Sequence, residues 1–390
     1  MTGRSSGALE HLGINALFLE PKMGGLDTYV RELIPELITL APKVRISIVV
    51  NAVGAAHLAG QPWADEVELV QHPLLGVRGT RAVVELTALG AMATRRGFDV
   101  LHSMALTAPL RTAAANVVTL ADVTWLTHPS ADGGMTYRLW RAVVPTVARR
   151  ADRVIAISEA GARDISRLLL VPCGRIDVTP LGLSGRSGAT LEDEQALRAD
   201  LALGPGPVIL SVGTRKEHKN LVRLVEAFAA VHRERPDVRL VLAGNATSHD
   251  ADIEAVARRS GVADAVVMPD FVDPARLEGL YAAAICFVLA SVNEGFGLPI
   301  LEAMHRGVPT ATSNVSSLPE VAGDAGLLFD PLDVGDITSA LRALLDDDAL
   351  RSRLAAAGPA RAKSFTWRRT AELTLESYER ARWGKGRDSG

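Results

Sequence analysis

The sequence predicts an α/β protein of two domains, each built on a parallel sheet with helices on both faces. Short apolar runs typical of buried strands alternate with helical runs along the whole chain, which is the pattern of parallel sheets. At 390 residues the chain also exceeds the usual limit of a single domain. The strand-like runs lie at 14–18, 44–50, 100–102, 117–120, 155, 176–178, 208–212, 240–243 and 265–267.

The alternation lapses between residues 181 and 206, where SGRSG, a polar charged stretch and GPGP follow one another. Stretches of this composition commonly connect domains. We therefore expect a first domain over 1–183, a linker over 184–205, a second domain over 206–365, and a C-terminal helix and tail over 366–390.

Composition excludes several classes of protein. The net charge of -3 argues against a general nucleic-acid binder. Cys173 and Cys286 are too few and too scattered for a disulfide framework or a zinc site, so a reducing cytoplasm is the simplest location. The N-terminus lacks the apolar run of a secretory signal. The longest uncharged stretch is interrupted by polar residues and proline, so no membrane-spanning helix is expected.

The most informative stretch is 291–309, which reads SVNEGFGLPILEAMHRGVP. The uncharged run 284–290 before it predicts a buried strand. Pro299 favours a helix from about Leu298 to Arg306, with Gly307 as its stop. Because the first N–H groups of a helix have no internal partners and carry the positive end of its dipole, the glycine turn suits a phosphate.

Two glutamates flank this turn. Glu294 precedes the helix, and Glu302 lies about one turn inside it. A carboxylate only accepts hydrogen bonds, so each glutamate suits a partner rich in hydroxyls, such as a sugar or a ribose. The alternative is a buried helix start with two solvated acids, and local features alone leave both interpretations open.

A second loop with chemical potential follows the predicted strand 208–212. The strand ends at Gly213, and Asn220 is a plausible N-cap for the next helix. Arg215 and Lys219 then lie at the carboxyl edge of the sheet, where open α/β folds bind ligands. A solvated basic loop is the alternative.

Two helices of the first domain stand out. Residues 137–150 predict a helix with arginines around an apolar stripe formed by Trp140, Val143, Val144 and Val147. A basic amphipathic helix can lie on an anionic membrane surface. Packing of the stripe on the domain's own sheet is the favoured interpretation. Ser158 predicts the N-cap of the helix that follows.

The stretch E-G-F-G-L-P-x-L-E-A-M, followed by G-V-P, closely resembles the E-x7-E signature of the retaining GT-B glycosyltransferases of family 4. The similarity continues through SSLPEVAGDAGLLFDP at 316–331 and, more weakly, reaches back to Gly24 and Gly25. The resemblance implies two Rossmann-like domains facing a cleft, with the last helix crossing back to the first domain. It also implies a nucleotide-diphosphate sugar as donor.

The resemblance assigns roles in the second domain. Glu302 would hold the nucleotide ribose, and Glu294 would hold the transferred sugar. Lys219 would neutralise the leaving diphosphate, with Arg215 replacing the basic residue that the family usually has directly after Gly213. The other donor contacts that it implies are Gly25, Gly213, Gly244, Phe271, Val272, Phe296, Gly297 and Leu298.

In the first domain, the resemblance places Gly24 and Gly25 in a loop near the donor phosphate and the acceptor. A simple strand-to-helix turn is the alternative. The stretch VVTLADVTWLTHP is similar to a family stretch in which a histidine precedes the aspartate, but here Ala121 precedes Asp122. We count Asp122 among the catalytic candidates. The family histidine contacts the donor sugar, so its absence indicates a different donor, a substitute such as His128 on the acceptor side, or lost activity.

Together with the resemblance, these features predict a glycosyltransferase that uses neither metal nor cofactor, and the resemblance implies that it retains the anomeric configuration. The D-x-D at Asp346 and Asp348 falls between two helices, where aspartate is an ordinary cap. The sequences of these motifs most resemble those of bacterial mannosyltransferases of surface polysaccharides, which favours GDP-mannose as the donor. Expected acceptors are a glycan, a lipid-linked oligosaccharide or a secondary metabolite, with peripheral contact at the inner membrane face left open. A catalytically silent nucleotide-sugar binding protein, a phosphorylase and an epimerase are the alternatives.

Overall fold

The computed structural model describes residues 8–21, 23–71, 81–128, 134–184, 193–270 and 272–387. The chain forms two compact units. The first comprises Met1–Thr127, Gly133–Gly182 and Thr366–Gly390, and the second comprises His128–Asp132 and Leu183–Phe365.

The first unit is built on one parallel sheet. Its described strands are β1 (His11–Asn15), β2 (Arg45–Val50), β3 (Glu68–Gln71), β4 (Val100–Ser103), β5 (Ala115–Leu120), β6 (Arg153–Ala156) and β7 (Ile176–Val178). They lie in the order β3-β2-β1-β4-β5-β6-β7, and every pair is parallel. This is the doubly wound order of Rossmann folds, in which the direction of winding reverses between β1 and β4.

Helices alternate with these strands. They are α1 (Gly25–Leu40), α2 (Ala52–Ala59), α3 (Arg81–Val83), α4 (Leu89–Arg96), α5 (Thr124–Thr127), α6 (Gly134–Arg150) and α7 (Glu159–Leu169). Ser158 caps α7 as predicted, because its Oγ accepts the N–H of Gly161 at 3.0 Å. In α6, Val144 and Val147 are buried in the core of the unit, and Trp140 packs against it. The apolar stripe of α6 therefore belongs to the unit's own core.

The second unit repeats the same plan. Its described strands are β8 (Val208–Val212), β9 (Arg239–Ala243), β10 (Val266–Val267), β11 (Ala284–Leu289), β12 (Thr310–Ser313) and β13 (Gly326–Phe329). The order is β10-β9-β8-β11-β12-β13, again with every pair parallel. The reversal here falls between β8 and β11. The predicted fold class of two parallel α/β sheets is thus confirmed.

The helices of the second unit cover both faces of its sheet. They are α8 (Glu194–Asp200), α9 (Leu221–His232), α10 (Asp250–Arg259), α11 (Pro274–Ala283), α12 (Leu298–His305), α13 (Leu318–Ala322), α14 (Val334–Asp346) and α15 (Asp348–Lys363). One core cluster joins strand residues such as Ile209 and Val288 to Phe228 of α9 and Leu341 of α14. Burial of both sheet faces explains why these strands are almost continuously apolar.

The expected linker contains a helix. α8 lies within 184–205 and begins after Asp193, whose carboxylate accepts the N–H of Ala196 at 2.9 Å. Leu197 of α8 is fully buried, and the helix belongs to the second unit. Residues 185–192 lie outside the described part of the chain. The amphipathic run around Leu197 is the sequence signal for this helix.

The last helix, α16 (Trp367–Arg387), belongs to the first unit. Tyr378 Oη lies 2.7 Å from His102 Nδ1 in β4, and Ser377 Oγ donates to the Asp177 carboxylate of β7 at 2.7 Å. Burial lowers the pKa of His102 to about 3, so the imidazole is neutral at pH 7. These buried polar contacts attach the end of the chain to the first sheet.

Candidate functional site

The loops that leave β8 and β11 form the candidate site of the second unit. Open α/β sheets bind ligands at the carboxyl edge where the winding reverses, and in this unit that point lies between these two strands. A backbone hydrogen bond joins the two loops, from the N–H of Val292 to the carbonyl of His218 at 2.8 Å. A small cleft opens between the strand ends and is lined by Ser211, Val212, Gly213, Lys219, Leu221, Leu242 and Leu289.

Two glycines follow the strand ends at this site. Gly213 and Gly244 directly follow β8 and β9, and both adopt φ +151°, a value that L-residues rarely take. A Cβ on Gly244 would lie 2.1 Å from the carbonyl oxygen of Gly213, and a Cβ on Gly213 would lie 3.5 Å from Lys219 Nζ. Glycine at both positions lets the two strand ends and the lysine approach each other closely.

The turn between β11 and α12 has the predicted form. Gly297 adopts φ 112°, and α12 starts at Leu298 and ends at His305, followed by Gly307 at φ 70°. The Phe296 ring is buried and lies edge-on to the Phe365 ring at 5.7 Å. Its side chain is therefore a packing group, and the backbone of the turn is the part suited to an anion.

Glu294 forms a short ion pair at the head of this turn. Its Oε1 lies 2.5 Å from Lys219 Nζ and accepts Ser291 Oγ at 2.6 Å. Burial opposes ionisation, but the Lys219 ammonium and these hydrogen bonds outweigh it and hold the pKa of Glu294 below its ordinary value. The carboxylate is thus ionised and positioned in the site.

Glu302 is held from the neighbouring helix α11. Tyr281 Oη donates to Glu302 Oε2 at 3.0 Å. Burial and the Glu302 charge raise the pKa of Tyr281 well above its ordinary value, so the phenol keeps its proton and acts as a donor. Arg306 lies over the Tyr281 ring at 4.6 Å and pairs with Glu278 through its guanidinium. The two glutamates of the signature are therefore each fixed by a different partner.

Arg215 is buried and forms hydrogen bonds to other segments of the second unit. Its side chain is 2% exposed, and its five N–H donors are engaged by the carboxylates of Asp250 and Asp270 and by the carbonyls of Leu242, Gly244 and Pro269. The guanidinium binds the chain segments that follow β9 and β10. The sequence could not indicate this because the two aspartates lie 35 and 55 residues further along the chain.

Asn220 also differs from its predicted role. It occupies the position before α9 with φ 58°, but its side chain makes no capping bond. Instead, its Nδ2 donates to the carbonyls of Ala290 and Pro331, at 3.1 Å and 2.7 Å. This amide ties the β8 loop to the loops after β11 and β13.

His218, which directly precedes Lys219, is a further residue of the site that was not among the predicted candidates. Burial, followed by the Lys219 charge, lowers the pKa of His218 to about 4. A neutral imidazole therefore stands beside the charged pair at pH 7. Its place between the two basic residues Lys216 and Lys219 was the available signal.

The candidates in the first unit occupy the loops after β1 and β5. Gly24 adopts φ 64° and precedes α1, which starts at Gly25. Asp122 Oδ1 accepts the N–H of Thr124 at 2.8 Å, so this carboxylate starts α5. Ala121 is half-buried and directly follows β5. His128, which is exposed, belongs to the second unit.

Two of the donor contacts that the resemblance implies, Phe271 and Val272, follow β10 in the sequence. Phe271 lies outside the described residues, and Val272 is half-buried in the loop before α11.

Among the described residues there is no cluster of three or more His, Cys, Asp or Glu side chains that could hold a metal ion. No helix in the described ranges has both the length and the apolar character to cross a bilayer.

Comparison with known protein families shows which proteins this chain is similar to. Residues 193–361 match the family model described as glycosyl transferases group 1, and residues 23–184 match that of glycosyltransferase family 4. O-antigen chain mannosyltransferase B of Escherichia coli is 34% identical over 272 residues, covering 67% of this chain and 70% of that protein. The chain therefore belongs to the group 1 glycosyltransferases, with two Rossmann-like units of the GT-B fold.

A further relative and one solved structure are also similar to this chain. D-inositol 3-phosphate glycosyltransferase of Nocardia farcinica is 34% identical over 250 residues, covering 61% of this chain and 54% of that protein. The chain thus spans about half the length of that relative. The solved structure of sucrose-phosphate synthase from Thermosynechococcus elongatus superposes with a TM-score of 0.73 at 21% identity, covering 95% of this chain and 98% of that chain. That likeness concerns the fold.

Proposed function

We propose that this chain transfers a hexose from a nucleotide-diphosphate sugar and that the donor binds at the carboxyl edge of the second sheet. The observation that carries the proposal is the Lys219–Glu294 pair, placed beside the N-terminus of α12 at the point where the sheet reverses. A cation and a helix N-terminus suit the diphosphate, and a buried carboxylate suits the hydroxyls of the sugar.

The proposed reaction uses no metal. Departure of the nucleotide develops negative charge on the diphosphate, and Lys219 together with the N–H groups at the start of α12 would stabilise that charge. Glu302, held by Tyr281, would accept hydrogen bonds from the ribose. Glu294 is ion-paired and hydrogen-bonded, which suits positioning of the sugar better than nucleophilic attack.

We further propose that the configuration of the transferred sugar is retained. In the proposed step the acceptor hydroxyl attacks from the face that the diphosphate leaves, and the departing phosphate oxygen takes the hydroxyl proton. The bond from the sugar carbon to the phosphate oxygen breaks as the bond to the acceptor oxygen forms. Asp122 accepts a backbone N–H at the start of α5, so in this reaction it would hold the conformation of the loop after β5.

A mannosyl donor is the favoured choice. This choice is supported by the sequences of the motifs in 291–331. It is also supported by the name of the Escherichia coli mannosyltransferase that is 34% identical to this chain over 272 residues. The acceptor is proposed to be a glycan, a lipid-linked oligosaccharide or a secondary metabolite.

The proposal is tested by incubating the purified chain with GDP-mannose, UDP-glucose, UDP-galactose and ADP-glucose in the presence of EDTA and a panel of mannose-containing acceptors. Release of nucleoside diphosphate from one donor, with a product whose anomeric proton shows the donor's configuration, is expected. An inverted product would refute retention, and activity that EDTA abolishes and magnesium restores would refute metal independence. Failure to consume or bind any donor would refute the function itself.

Ala121 favours a second candidate, a nucleotide-sugar binding protein without transfer activity. Such a protein would bind the donor tightly but neither transfer nor hydrolyse the sugar. Ala121→His tests this alternative, because a gain of transfer in the variant alone would identify the wild-type chain as silent. A change of donor preference would instead indicate that this position contacts the sugar.

A further inference from the structure

Two adjacent serines after β12 contact the turn that precedes α12. Ser316 Oγ lies 2.7 Å from the carbonyl oxygen of Glu294 and accepts the N–H of that residue at 3.2 Å. Ser317 Oγ lies 2.9 Å from the same carbonyl and 2.8 Å from the carbonyl oxygen of Phe296. The two hydroxyls therefore hold two carbonyl groups of one glycine turn from the side of β12.

The orientation of these carbonyls fixes the orientation of two amides. In a trans peptide unit the C=O and the following N–H point in opposite directions. Because the carbonyls of Glu294 and Phe296 point towards the serines, the N–H groups of Gly295 and Gly297 point away from them. These two donors lie directly before the first turn of α12, where the helix dipole favours an anion.

The backbone at Ser316 indicates that its hydroxyl is needed. Ser316 adopts φ 59°, a left-handed conformation that glycine takes easily and other L-residues rarely take. The hydroxyl donates to the carbonyl of Glu294 and accepts the N–H of the same residue, so it binds the opposite loop as both donor and acceptor. The contacts that its hydroxyl makes offset an unfavourable backbone conformation.

The hydroxyl of Ser317 does not cap the helix that it precedes. Ser317 occupies the position before α13, where serine commonly caps the helix, but it makes no capping bond there. Its Oγ is fully buried and turned to the carbonyls of the turn. A serine that leaves its own helix uncapped and binds a different loop indicates a requirement in that loop.

We propose that Ser316 and Ser317 are positioning residues that aim the N–H groups of Gly295 and Gly297 at the diphosphate of the donor. This inference rests on the proposed function, since it assigns the diphosphate to the turn before α12. The serines do not touch the donor; they act through the carbonyl groups that they hold.

The test compares Ser316→Gly and Ser317→Ala with wild type in binding nucleoside diphosphates and the matching nucleosides. Ser316→Gly removes the hydroxyl but relaxes the left-handed backbone, so its melting temperature should equal or exceed that of wild type. Its affinity for the diphosphate should fall about tenfold, and its affinity for the nucleoside should stay unchanged. Ser313→Ala is the matched control, because Ser313 is a buried serine of the same segment whose Oγ faces the Leu289 carbonyl.

The outcomes separate the inference from the function on which it rests. Equal diphosphate affinity in wild type and both variants would overturn the role of the serines while leaving the donor site intact. Equal losses for nucleoside and diphosphate would overturn it as well, because a general disturbance of the site would then explain both. Absence of any diphosphate binding by wild type would refute the proposed function and the inference together.

Discussion

Lys219 and Glu294 form an ion pair of 2.5 Å that joins the loop after β8 to the loop after β11. The two strands are neighbours at the point where the second sheet reverses its winding. A cation suited to the phosphates and a carboxylate suited to the sugar are thus positioned by each other. Their side chains are 15% and 13% exposed, so the pair is largely shielded from solvent screening.

The Lys219–Glu294 pair is expected to contribute to stability as a coupled unit. Lys219→Met should lower the free energy of unfolding by about 3 to 5 kcal/mol, since it leaves a buried carboxylate without its partner. Adding Glu294→Gln should restore part of that loss. Denaturant unfolding of the two single variants and the double variant gives the coupling, expected near 2 kcal/mol.

Arg342 and Glu234 provide the control for that cycle. Their side chains are 43% and 57% exposed, and such surface pairs couple by less than about 1 kcal/mol. A coupling for Lys219 and Glu294 as small as that of the control would contradict a tight pair in the site.

Arg215 is expected to act on stability. Arg215→Met should destabilise the second unit by about 3 kcal/mol or more, because Asp250 loses a buried partner and three carbonyls lose their donor. Circular dichroism and urea unfolding measure the loss. A variant that keeps wild-type stability but loses affinity for nucleoside diphosphates would contradict a structural role and support the diphosphate contact that the sequence predicts.

Tyr281 is expected to set the recognition of ribose through Glu302. Tyr281→Phe removes one hydrogen bond to a charged acceptor, worth about 1.5 kcal/mol, and should weaken ribonucleotide binding about tenfold. The 2′-deoxyribonucleotide should lose less, because it makes fewer hydrogen bonds to the carboxylate. Titration calorimetry with both ligands measures the difference.

Tyr378→Phe is the matched control for Tyr281→Phe, since it removes a buried tyrosine hydroxyl from the first unit. It should leave nucleotide affinity unchanged. An equal loss for ribose and deoxyribose ligands in Tyr281→Phe would argue against the ribose assignment of Glu302.

His102 is expected to make the first unit sensitive to acid. Its folded pKa is about 3 and its ordinary value is 6.5, so between these values the unfolded chain binds a proton that the folded chain does not. Stability is therefore lost as the pH falls below 6.5, by about 2 kcal/mol at pH 5. The loss should be smaller in His102→Gln, whose amide does not titrate.

Unfolding at pH 7.5 and pH 5 measures this difference. An identical dependence in wild type and His102→Gln would contradict a neutral, buried His102.

The fold was largely accessible from the sequence because its signals are local. Alternation of apolar runs identified the parallel sheets, and Pro299 with Gly307 bounded α12 to within one residue at its end. The glycine turn and its two glutamates were recognised for the same reason. The helix α8 was missed because its buried Leu197 lies in a charged stretch that resembled a linker.

Long-range partners were not accessible. The orientation of Arg215 depends on Asp250 and Asp270. The hydroxyls that contact the Glu294 carbonyl belong to serines 22 and 23 residues further along the chain. Likewise, His102 meets Tyr378 over a separation of 276 residues. Composition and spacing identify which groups can form hydrogen bonds, but the packing of distant segments decides which of them meet.

Binding of nucleoside diphosphates to wild type and Glu302→Ala tests the donor site most directly. Titration calorimetry with GDP, UDP, ADP and TDP should reveal one that binds wild type, with at least tenfold weaker binding to Glu302→Ala, because the ribose loses its hydrogen-bond acceptor. Glu234→Ala, which removes an exposed carboxylate of the same unit, should bind as wild type does. Equal affinity in wild type and Glu302→Ala, or no binding to wild type at all, would contradict a donor site at the carboxyl edge of the second sheet.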